Sequence, residues 1–245
     1  MAYTKQRFSY KEENPRYEFT FPVEKMNIEG DVILIDKPYR CTSFDVVGQL
    51  RRQLRHYTQL KKIKVGHAGT LDPLATGLLI ICIGNYTKKI DQYQSGDKEY
   101  TGTFRVGATT PSYDLEKEID QEYPYEHITE EMAKEAAAGF VGTFEQTPPL
   151  FSAIKIEGRR AYELAREGVE LEIKSKQVEI KEFEITRFDL PDIDFRVVCS
   201  KGTYIRSLAR DYGEALHSGA HLTALRRTRI GDFSVENAIS ILPNV

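Results

Sequence analysis

The chain has 245 residues, 40% of them hydrophobic and 29% charged, so it can bury a core and stay soluble as one large domain or two modest ones. No apolar run approaches the ~20 residues of a membrane helix, and the polar N-terminus lacks the apolar block of a secretory signal. We therefore expect a cytoplasmic protein that does not bind membrane. The formal net charge of −3 conceals a segregation, because residues 51–64 carry six basic side chains and no acid whereas residues 114–135 carry nine acids and two lysines. Such segregation is typical of a positive face that binds a polyanion, although solvated helix faces would give the same pattern.

The first half of the chain predicts a strand, a helix and a second strand around an unusual loop. Residues 1–28 form an N-terminal extension that we expect to be loosely attached. Residues 31–38 (DVILIDKP) predict a core strand that ends at Pro38. Thr42 or Ser43 can cap a helix that runs to about Tyr57. After the loop, the pattern predicts a buried strand at 78–84, a helix at 87–94 and a half-buried strand at 98–107.

The second half of the chain predicts isolated helices between paired strands. A helix is expected from Thr129 to about Ala138, with Gly139 as its stop. Residues 146–168 run from a proline turn through a strand to a short helix, and residues 176–188 and 194–200 predict paired strands. Residues 203–217 form the clearest helix, with one apolar face made of Ile205, Leu208, Ala209, Tyr212 and Leu216. This order of elements indicates an α+β fold with a mixed or largely antiparallel sheet.

Common catalytic and metal-binding motifs are absent from the sequence. It contains no P-loop, no G-x-G-x-x-G that opens a helix, no H-E-x-x-H and no G-x-S-x-G. His217 and His221 could suit a metal on a helix, but Gly219 lies between them and no third ligand is near, which favours a helix end followed by a loop. The cysteines lie far apart in or beside apolar stretches, which favours buried free thiols over a disulfide framework: Cys41, Cys82 and Cys199.

A lone carboxylate, Asp72, stands in the glycine-rich stretch KVGHAGTLDPLATGLL at residues 64–79. The simplest interpretation is a turn aspartate, because L-D-P is good turn chemistry. A functional interpretation is also open, because the glycines let the backbone pass close to a ligand and the following strand can exclude water. A carboxylate in such a place needs a cation if it is to stay ionised. Arg206, on the best helix downstream, is a candidate.

The loop GHAGTLDPLATGLLIICIG strongly resembles the catalytic loop of the TruB family of tRNA pseudouridine synthases. The resemblance recurs in order along the chain, in LIDKPYRCTSFDVV, KEYTGTFRVGATTPSYD, QTPPLFSAIKIEGRRAYELAREG and VCSKGTYIRSLARDYGEALHSGAHLTALRRTRIGDFSV, and it covers residues 31–241. It implies a pseudouridine synthase fold, with one catalytic domain at 29–245 that contains an RNA-binding insertion at about 146–175. It also implies conversion of uridine 55, in the T loop of tRNA, to pseudouridine without a metal or nucleotide cofactor.

Three residues would carry the chemistry by this resemblance. Asp72 matches the catalytic aspartate and would be the nucleophile, which requires one ionised carboxylate with no second acid beside it; attack on the base and attack on the sugar carbon both stay open. Arg206 matches the active-site arginine that would keep Asp72 charged, although its pattern alone favours a surface arginine. Tyr100 matches the tyrosine that stacks on the flipped base and can serve proton transfer, and a core tyrosine explains its pattern equally well.

Four further residues would contact or support the substrate by the same resemblance. His67 matches the histidine that enters the place vacated by the extruded base. Tyr204 and Leu225 resemble residues of the uridine pocket, although plain core explains Leu225 nearly as well. Lys37 would bind backbone phosphate or support the pocket. The basic residues at 51–64, 159–160 and 226–229 would hold phosphates without reading sequence.

By the same resemblance the partner is tRNA, through its T stem-loop, and we expect a monomer that needs no guide RNA. Many relatives continue into a PUA-type domain, for which this sequence leaves no room, so RNA affinity would rest on the catalytic domain. The sequence departs from the family at Ala68, where threonine is common, and at Arg40, where glycine is common. Two rival hypotheses are a guide-dependent synthase, against which the missing domain argues, and an RNA-binding or RNA-folding module with dispensable catalysis.

Overall fold

The computed structural model describes residues 19–150 and 173–241, together with the backbone of residues 155–156 and 159–160. The chain divides into two compact units at Gln94/Ser95 and at Asp232/Phe233, so that the first unit combines the N-terminal part of the chain with its C-terminal end. The single catalytic domain at 29–245 stays a prediction, and most of the predicted insertion at 146–175 lies outside the described residues.

The first unit is built on a small mixed sheet. Its elements are β1 (Gly30–Lys37), α1 (Ser43–Thr58), β2 (Val65–Ala68), β3 (Thr76–Gly84), α2 (Ile90–Tyr93), β13 (Phe233–Ser234) and β14 (Ile239–Ser240), with 3-10 turns at Val23–Lys25, Asn85–Lys89 and Val235–Asn237. β1 pairs antiparallel with β3, β3 pairs antiparallel with β2, and β14 pairs parallel with β1. The strands predicted at 31–38 and 78–84 are therefore confirmed. The helix predicted at 87–94 is a 3-10 turn followed by the one-turn helix α2.

Helix α1 begins where its capping residues predict. Thr42 is the N-cap: its side chain accepts a hydrogen bond from the Asp45 amide, and the Asp45 carboxylate accepts one from the Thr42 amide. This reciprocal capping box satisfies two amides that the first helical turn would otherwise leave unpaired. The apolar face of the helix packs into the core of the unit through Val46, Val47, Leu50 and Leu54.

Residues 19–28, the described part of the predicted extension, pack against the first unit. Phe19 and Phe21 are buried in its hydrophobic core, with their rings edge to face at 6.2 Å between centroids. Their backbone amides donate to side-chain oxygens of α1, over 2.9 Å from Phe19 to Gln49 Oε1 and 3.0 Å from Phe21 to Gln53 Oε1. This stretch therefore behaves as part of the core, because burying two phenylalanines is worth about 1.5–3 kcal/mol each.

The second unit is built on an antiparallel sheet. Its elements are β4 (Lys98–Val106), β5 (Ala108–Thr109), β6 (Gln121–Glu122), α3 (Glu130–Gly139), β7 (Gly142–Gln146), β8 (Lys155–Ile156), β9 (Arg159–Arg160), β10 (Lys176–Asp189), β11 (Asp192–Cys199), α4 (Ile205–Ala215) and β12 (Ala220–Ile230). The strand order is β12-β4-β11-β10-β7, with every neighbouring pair antiparallel. The predicted pairing of 176–188 with 194–200 is confirmed, as is the α+β class with a mixed, largely antiparallel sheet.

An aromatic cluster joins this sheet to the helices of the second unit. Phe104 and Phe195 stack at 4.0 Å between ring centroids, and Tyr212 of α4 lies 5.2 Å from Phe104. The Tyr212 hydroxyl donates to the Ala133 carbonyl of α3 over 3.0 Å, so its polar end is satisfied inside the core. The predicted apolar face of α4 is confirmed, because Ile205, Leu208, Ala209, Tyr212 and Leu216 are all buried.

Strand β12, the eleven-residue strand at Ala220–Ile230, was not predicted from the sequence. Its pairing with β4 shifts register between Leu222 and Ala224 and again between Arg227 and Arg229. Each shift is an irregularity of the kind a β-bulge produces, so side chains do not alternate strictly along the strand, and period-two alternation is the signal by which a strand is recognised in sequence.

The three cysteines are free and buried, as predicted. Burial raises the pKa of the thiols to about 12 at Cys41, about 11 at Cys82 and about 12 at Cys199. These thiols are therefore protonated and inert at neutral pH. None of the helices in the described part of the chain is both long and apolar enough to cross a membrane.

Candidate active site

Asp72 lies in the connection between β2 and β3 of the first unit, and it is half-buried. The Ala75 amide donates to the Asp72 carbonyl over 3.1 Å, which closes a tight turn through Pro73 and Leu74. Strand β3 begins at Thr76, immediately after this turn, and its side chains are almost continuously buried. Asp72 therefore stands in a short turn immediately before a buried strand.

Two polar side chains fix the backbone on either side of Asp72. The Ser43 hydroxyl accepts from the Leu71 amide over 3.0 Å and donates to the Leu71 carbonyl over 3.1 Å. The ammonium of Lys37 donates to the Cys41 carbonyl over 2.6 Å and to the Pro38 carbonyl over 2.8 Å, with the Pro73 carbonyl at 3.4 Å. Lys37 is fully buried. Of the two roles that the sequence left open for it, the geometry favours support of the loop over contact with a phosphate.

His67 lies on β2, where it pairs in register with Ile81 of β3. Its ring meets the ring of Phe44 edge to face, with 5.5 Å between the centroids. Phe44 stands in the first turn of α1 and is 67% exposed, so an aromatic surface adjoins the histidine that the resemblance assigns to the RNA loop. Exposed aromatic rings of this kind are the surfaces on which unstacked RNA bases stack.

Arg40 stands at a position where glycine is common in the family pattern. Its φ is +58°, in the left-handed region that favours glycine, and its guanidinium lies 5.7 Å from the ring centroid of Tyr39. Glycine adopts such a conformation freely, whereas the arginine adopts it at a cost in strain.

Arg206 lies in the first turn of α4 in the second unit and is only 5% exposed, so it is not the surface arginine that its pattern suggested. Its Nε lies 3.8 Å from Asp114 Oδ2, and its Nη1 donates to the Ser112 carbonyl over 3.4 Å. Asp114 is itself fixed, because its Oδ1 accepts from the Ser112 hydroxyl over 2.6 Å and from the Glu116 amide over 2.9 Å. Asp114 was not predicted as a site residue, although it lies in the motif KEYTGTFRVGATTPSYD.

Tyr204 is the N-cap residue of α4, and its backbone is clamped by one side chain. The Tyr204 amide donates to Gln146 Oε1 over 2.8 Å, and Gln146 Nε2 donates to the Tyr204 carbonyl over 3.1 Å. The ammonium of Lys176 lies over the tyrosine ring, 4.5 Å from its centroid. Gln146 and Lys176 were not predicted, and they are neighbours in register across β7 and β10.

Tyr100 and Leu225 lie on adjacent strands of the second unit. Tyr100, on β4, is buried and stands opposite Val197 of β11 and Arg227 of β12. Leu225, on β12, is half-buried and stands opposite Gly102 of β4. The predicted site residues are thus divided between the units: Asp72, His67 and Lys37 belong to the first, and Tyr100, Tyr204, Arg206 and Leu225 belong to the second. The pairing of Asp72 with Arg206 stays a prediction.

The predicted phosphate contacts differ in their exposure. Arg52, Arg55, Lys61, Lys62 and Lys64 are exposed in the first unit, as a phosphate-binding surface requires. Arg227, in contrast, is only 2% exposed, so its expected role as a surface phosphate contact is wrong. Arg229 lies 3.7 Å from the Glu99 carboxylate, and the side chains of residues 159–160 lie outside the described part.

His217 and His221, which could have suited a metal by their spacing, lie in different structural surroundings. His221 is buried, and its Nδ1 lies 2.9 Å from the Ala108 carbonyl. His217 follows the end of α4 with a φ of +54°. Within residues 19–150 and 173–241 no three potential metal-binding side chains cluster.

Comparison with protein families finds two adjoining matches. The family described as "TruB family pseudouridylate synthase (N terminal domain)" matches residues 55–205, and the "tRNA pseudouridylate synthase B C-terminal domain" matches residues 206–242. A protein of Flavobacterium johnsoniae named tRNA pseudouridine synthase B is 61% identical over 215 residues, which cover 87% of this chain and 94% of the relative. One of the same name from Phocaeicola vulgatus is 58% identical over 213 residues, which cover 87% of this chain and 91% of the relative.

Solved structures give matches of lower identity over most of the chain. A chain of a Cbf5-Nop10-Gar1 complex matches with a TM-score of 0.64 and 30% identity, covering 91% of this chain and 57% of that one. A chain of an H/ACA RNP bound to a substrate RNA containing 2'-deoxyuridine matches with a TM-score of 0.61 and 28% identity, covering 94% and 57%. This chain therefore spans little more than half the length of the structures it resembles.

Proposed function

Because the chain belongs to the TruB family of pseudouridylate synthases, we propose that it converts uridine 55, in the T loop of tRNA, to pseudouridine. Its relatives at 61% and 58% identity, which are named tRNA pseudouridine synthase B, support tRNA as the substrate. The observation that carries the proposal is the placement of Asp72 on a tight turn that Ser43 and Lys37 hold through the backbone. A nucleophile must be held in one geometry, and this turn supplies it.

Asp72 acts as the nucleophile on an extruded uridine. The bond between N1 of uracil and C1′ of ribose breaks, the base turns, and a bond forms between C5 and C1′. A proton leaves C5 and N1 gains one, so the reaction is an isomerisation that consumes no co-reactant. Tyr100 stacks on the base and serves the proton transfer, which positioned side chains accelerate by about 10²–10⁴-fold.

Arg206 keeps the Asp72 carboxylate ionised and oriented. The guanidinium has its own carboxylate neighbour, Asp114, at 3.8 Å in the second unit. The negative charge of Asp114 orients the guanidinium, whose planar fork of five N–H groups matches the geometry of a carboxylate such as Asp72. A buried arginine with an anchored carboxylate beside it is a positioned cation, which is what this role needs.

Recognition of the RNA combines base extrusion with phosphate contacts. Extruding the uridine costs a few kcal/mol of stacking and pairing. His67 enters the vacated place, with the exposed ring of Phe44 beside it, while Tyr204 and Leu225 line the uridine pocket and Lys37 supports the nucleophile loop. The exposed basic residues of α1 and of the segment after it hold phosphates and position the RNA.

The proposal includes action on tRNA without a guide RNA, by a monomer, in the cytoplasm. The titles of the matched structures describe ribonucleoprotein particles, but those chains are 30% and 28% identical and extend well beyond the matched part. The tRNA-directed relatives are about twice as similar and are matched over nearly their whole length. This difference favours direct recognition of tRNA.

Mapping pseudouridine in bulk tRNA after incubation with the protein alone tests the proposal. We expect a single new pseudouridine at position 55. We expect Asp72→Asn to lower the rate by roughly 10⁴-fold or more, as removal of a nucleophile does, while tRNA binding changes little. Asp91→Asn, at an exposed carboxylate of the same unit, is the matched control and should keep full activity.

Retained turnover in Asp72→Asn would reject its role as nucleophile. Binding of tRNA by the wild type with no pseudouridine formed would favour the RNA-binding or RNA-folding module. Activity only after addition of a guide RNA would instead support a guide-dependent synthase.

A further inference from the structure

Lys176, the first residue of β10, places a half-buried cation beside Tyr204. Its Nζ lies 4.5 Å from the centroid of the tyrosine ring. Within residues 19–150 and 173–241, no carboxylate forms an ion pair with it. The exposed Lys181 of the same strand differs in this respect, since it pairs with Asp97 at 2.7 Å. Among the described residues, the Lys176 ammonium therefore has no counter-ion.

The surroundings of Lys176 hold it in place. Its neighbour in register, Gln146, makes two hydrogen bonds to the Tyr204 backbone, so the main chain that carries the ring beneath the ammonium is fixed. Gly202 lies next to it with a φ of +91°, and a Cβ there would come within 3.2 Å of Nζ. The glycine thus leaves room for the ammonium beside the loop that leads into α4. A cation over an aromatic face gains about 0.5–2 kcal/mol, which contributes to the positioning.

Burial makes this ammonium receptive to an anion. Desolvation lowers the pKa of Lys176 from its ordinary value. A cation that has lost part of its hydration without gaining a counter-ion is stabilised when an anion comes close, because the opposite charge offsets the loss of water. In the proposed reaction the substrate is a polyanion whose phosphates flank every base.

We propose that Lys176 binds a backbone phosphate next to the uridine that Tyr204 receives. This inference rests on the proposed function, because it takes Tyr204 as a residue of the uridine pocket. The contact fixes the ribose-phosphate chain on one side of the extruded base, as phosphate contacts generally fix register rather than sequence. The competing interpretation is that Lys176 only braces the Tyr204 ring.

The salt dependence of RNA binding separates these two roles. Binding of a tRNA transcript is measured at several KCl concentrations, in the Asp72→Asn background so that no product forms. We expect Lys176→Met to weaken binding about tenfold at low salt and to reduce the slope of log K against log salt by about one, as the loss of one phosphate contact does. The methionine keeps the length and the packing on Tyr204, so a merely bracing role would leave the slope unchanged and overturn the proposal.

Two matched variants sharpen the measurement. Lys176→Arg keeps the charge and should keep the slope. Lys174→Met removes an exposed lysine two residues earlier and should leave the affinity within about twofold. Equal loss of slope in Lys174→Met and Lys176→Met would show a general effect of charge and would reject a specific contact.

RNAs with one uncharged backbone linkage then identify the phosphate that Lys176 contacts. T-arm stem-loop RNAs that carry one methylphosphonate at a time around the target uridine are bound to wild-type and Lys176→Met protein, both in the Asp72→Asn background. We expect one position at which neutralisation weakens wild-type binding but does not weaken Lys176→Met further. Additive losses at every position would overturn the proposal. Turnover of the same RNAs is measured separately with protein that retains Asp72. A lack of turnover there would count against the proposed function and not against the phosphate contact.

Discussion

In the first unit the loop that carries Asp72 is held by side chains that bond to main-chain groups, whereas in the second unit the Arg206 guanidinium lies beside a charged side chain, Asp114. Ser43 and Lys37 bond to amide and carbonyl groups of the loop and its surroundings. Arg206 lies 3.8 Å from Asp114 and also donates to the Ser112 carbonyl, while Tyr204 is clamped through its main chain by Gln146, as the loop of the first unit is by Ser43.

This difference determines which substitutions should displace each site residue. A main-chain anchor does not depend on which side chains the loop carries, because the groups that accept the hydrogen bonds of Lys37 are backbone carbonyls. A side-chain anchor fails when a single partner changes or loses its charge. Substitutions in the first unit should therefore act through the stability of the loop, and those in the second unit through the orientation and charge of the cation.

Lys37→Met should give the largest effect on stability. The substitution removes a fully buried ammonium and leaves the Cys41 and Pro38 carbonyls without this donor. Each buried polar group left unpaired costs about 1–3 kcal/mol, so we expect the free energy of unfolding to fall by about 2–4 kcal/mol. Urea unfolding followed by circular dichroism measures the change. Lys25→Met, at an exposed lysine of the same unit, should change it by less than about 0.5 kcal/mol.

An unchanged urea midpoint in Lys37→Met would contradict main-chain anchoring by this lysine. A loss of stability without any loss of turnover in the folded fraction would show that the loop holds Asp72 by other contacts. Either result would remove the contrast between the two units.

Local patterns were sufficient for the helices but not for the contacts that fix the site. Helix α1 follows from the cap at Thr42 and from its apolar spacing, and α4 follows from its apolar face. Strand β12 was not predicted because two register shifts interrupt the alternation of its side chains. The identity of Asp72, Tyr100 and His67 as site residues came from resemblance to a family, because a turn aspartate, a strand tyrosine and a turn histidine are each common on pattern alone.

The contacts that anchor the site were not predicted, for a different reason. The resemblance gave support of the pocket as one of two roles for Lys37, but its bonds and those of Ser43 go to backbone groups, which every residue carries, so the sequence holds no signal for the contacts themselves. Asp114 and Arg206 meet only because a loop and a helix distant in the chain pack together, and a single sequence does not reveal such pairs. The burial of Arg206 and of Arg227 is likewise a tertiary property that local spacing does not encode.

Asp114→Asn should lower turnover about tenfold, which corresponds to about 1.4 kcal/mol in the activation free energy. The asparagine can still accept from Ser112 and Glu116, so the loop is kept, but the negative charge at 3.8 Å from Arg206 is lost. Single-turnover kinetics at saturating tRNA measure the effect, since KM should change little. Asp120→Asn, at an exposed carboxylate of the same segment, should keep the wild-type rate.

A tenfold loss in Asp114→Asn that appears only in KM would show that Asp114 acts on RNA binding and not on the orientation of Arg206. Equal rates in the wild type and in Asp114→Asn would mean that the cation of the second unit is positioned without this carboxylate. The contrast with the main-chain anchors of the first unit would then fail.

The smallest effect concerns the ion pairs on the sheet of the second unit and should depend on pH. Hydrogen bonding from Arg187 lowers the pKa of Asp194, and a further hydrogen bond from Thr103 acts in the same direction. A carboxyl group whose pKa is lower in the folded state stabilises the fold above its unfolded pKa of about 3.9, and this contribution disappears as pH falls through the folded pKa.

Asp194 is partly exposed, so the pair is worth less than about 1 kcal/mol. We expect Asp194→Asn to lower the free energy of unfolding by that small amount at pH 7 and to approach the wild type as the pH falls below the unfolded value of about 3.9. Urea titrations of both proteins across this range measure it. A difference that stays constant with pH would mean that Asp194 acts through packing, and the second unit would then not depend on charge at this strand pair.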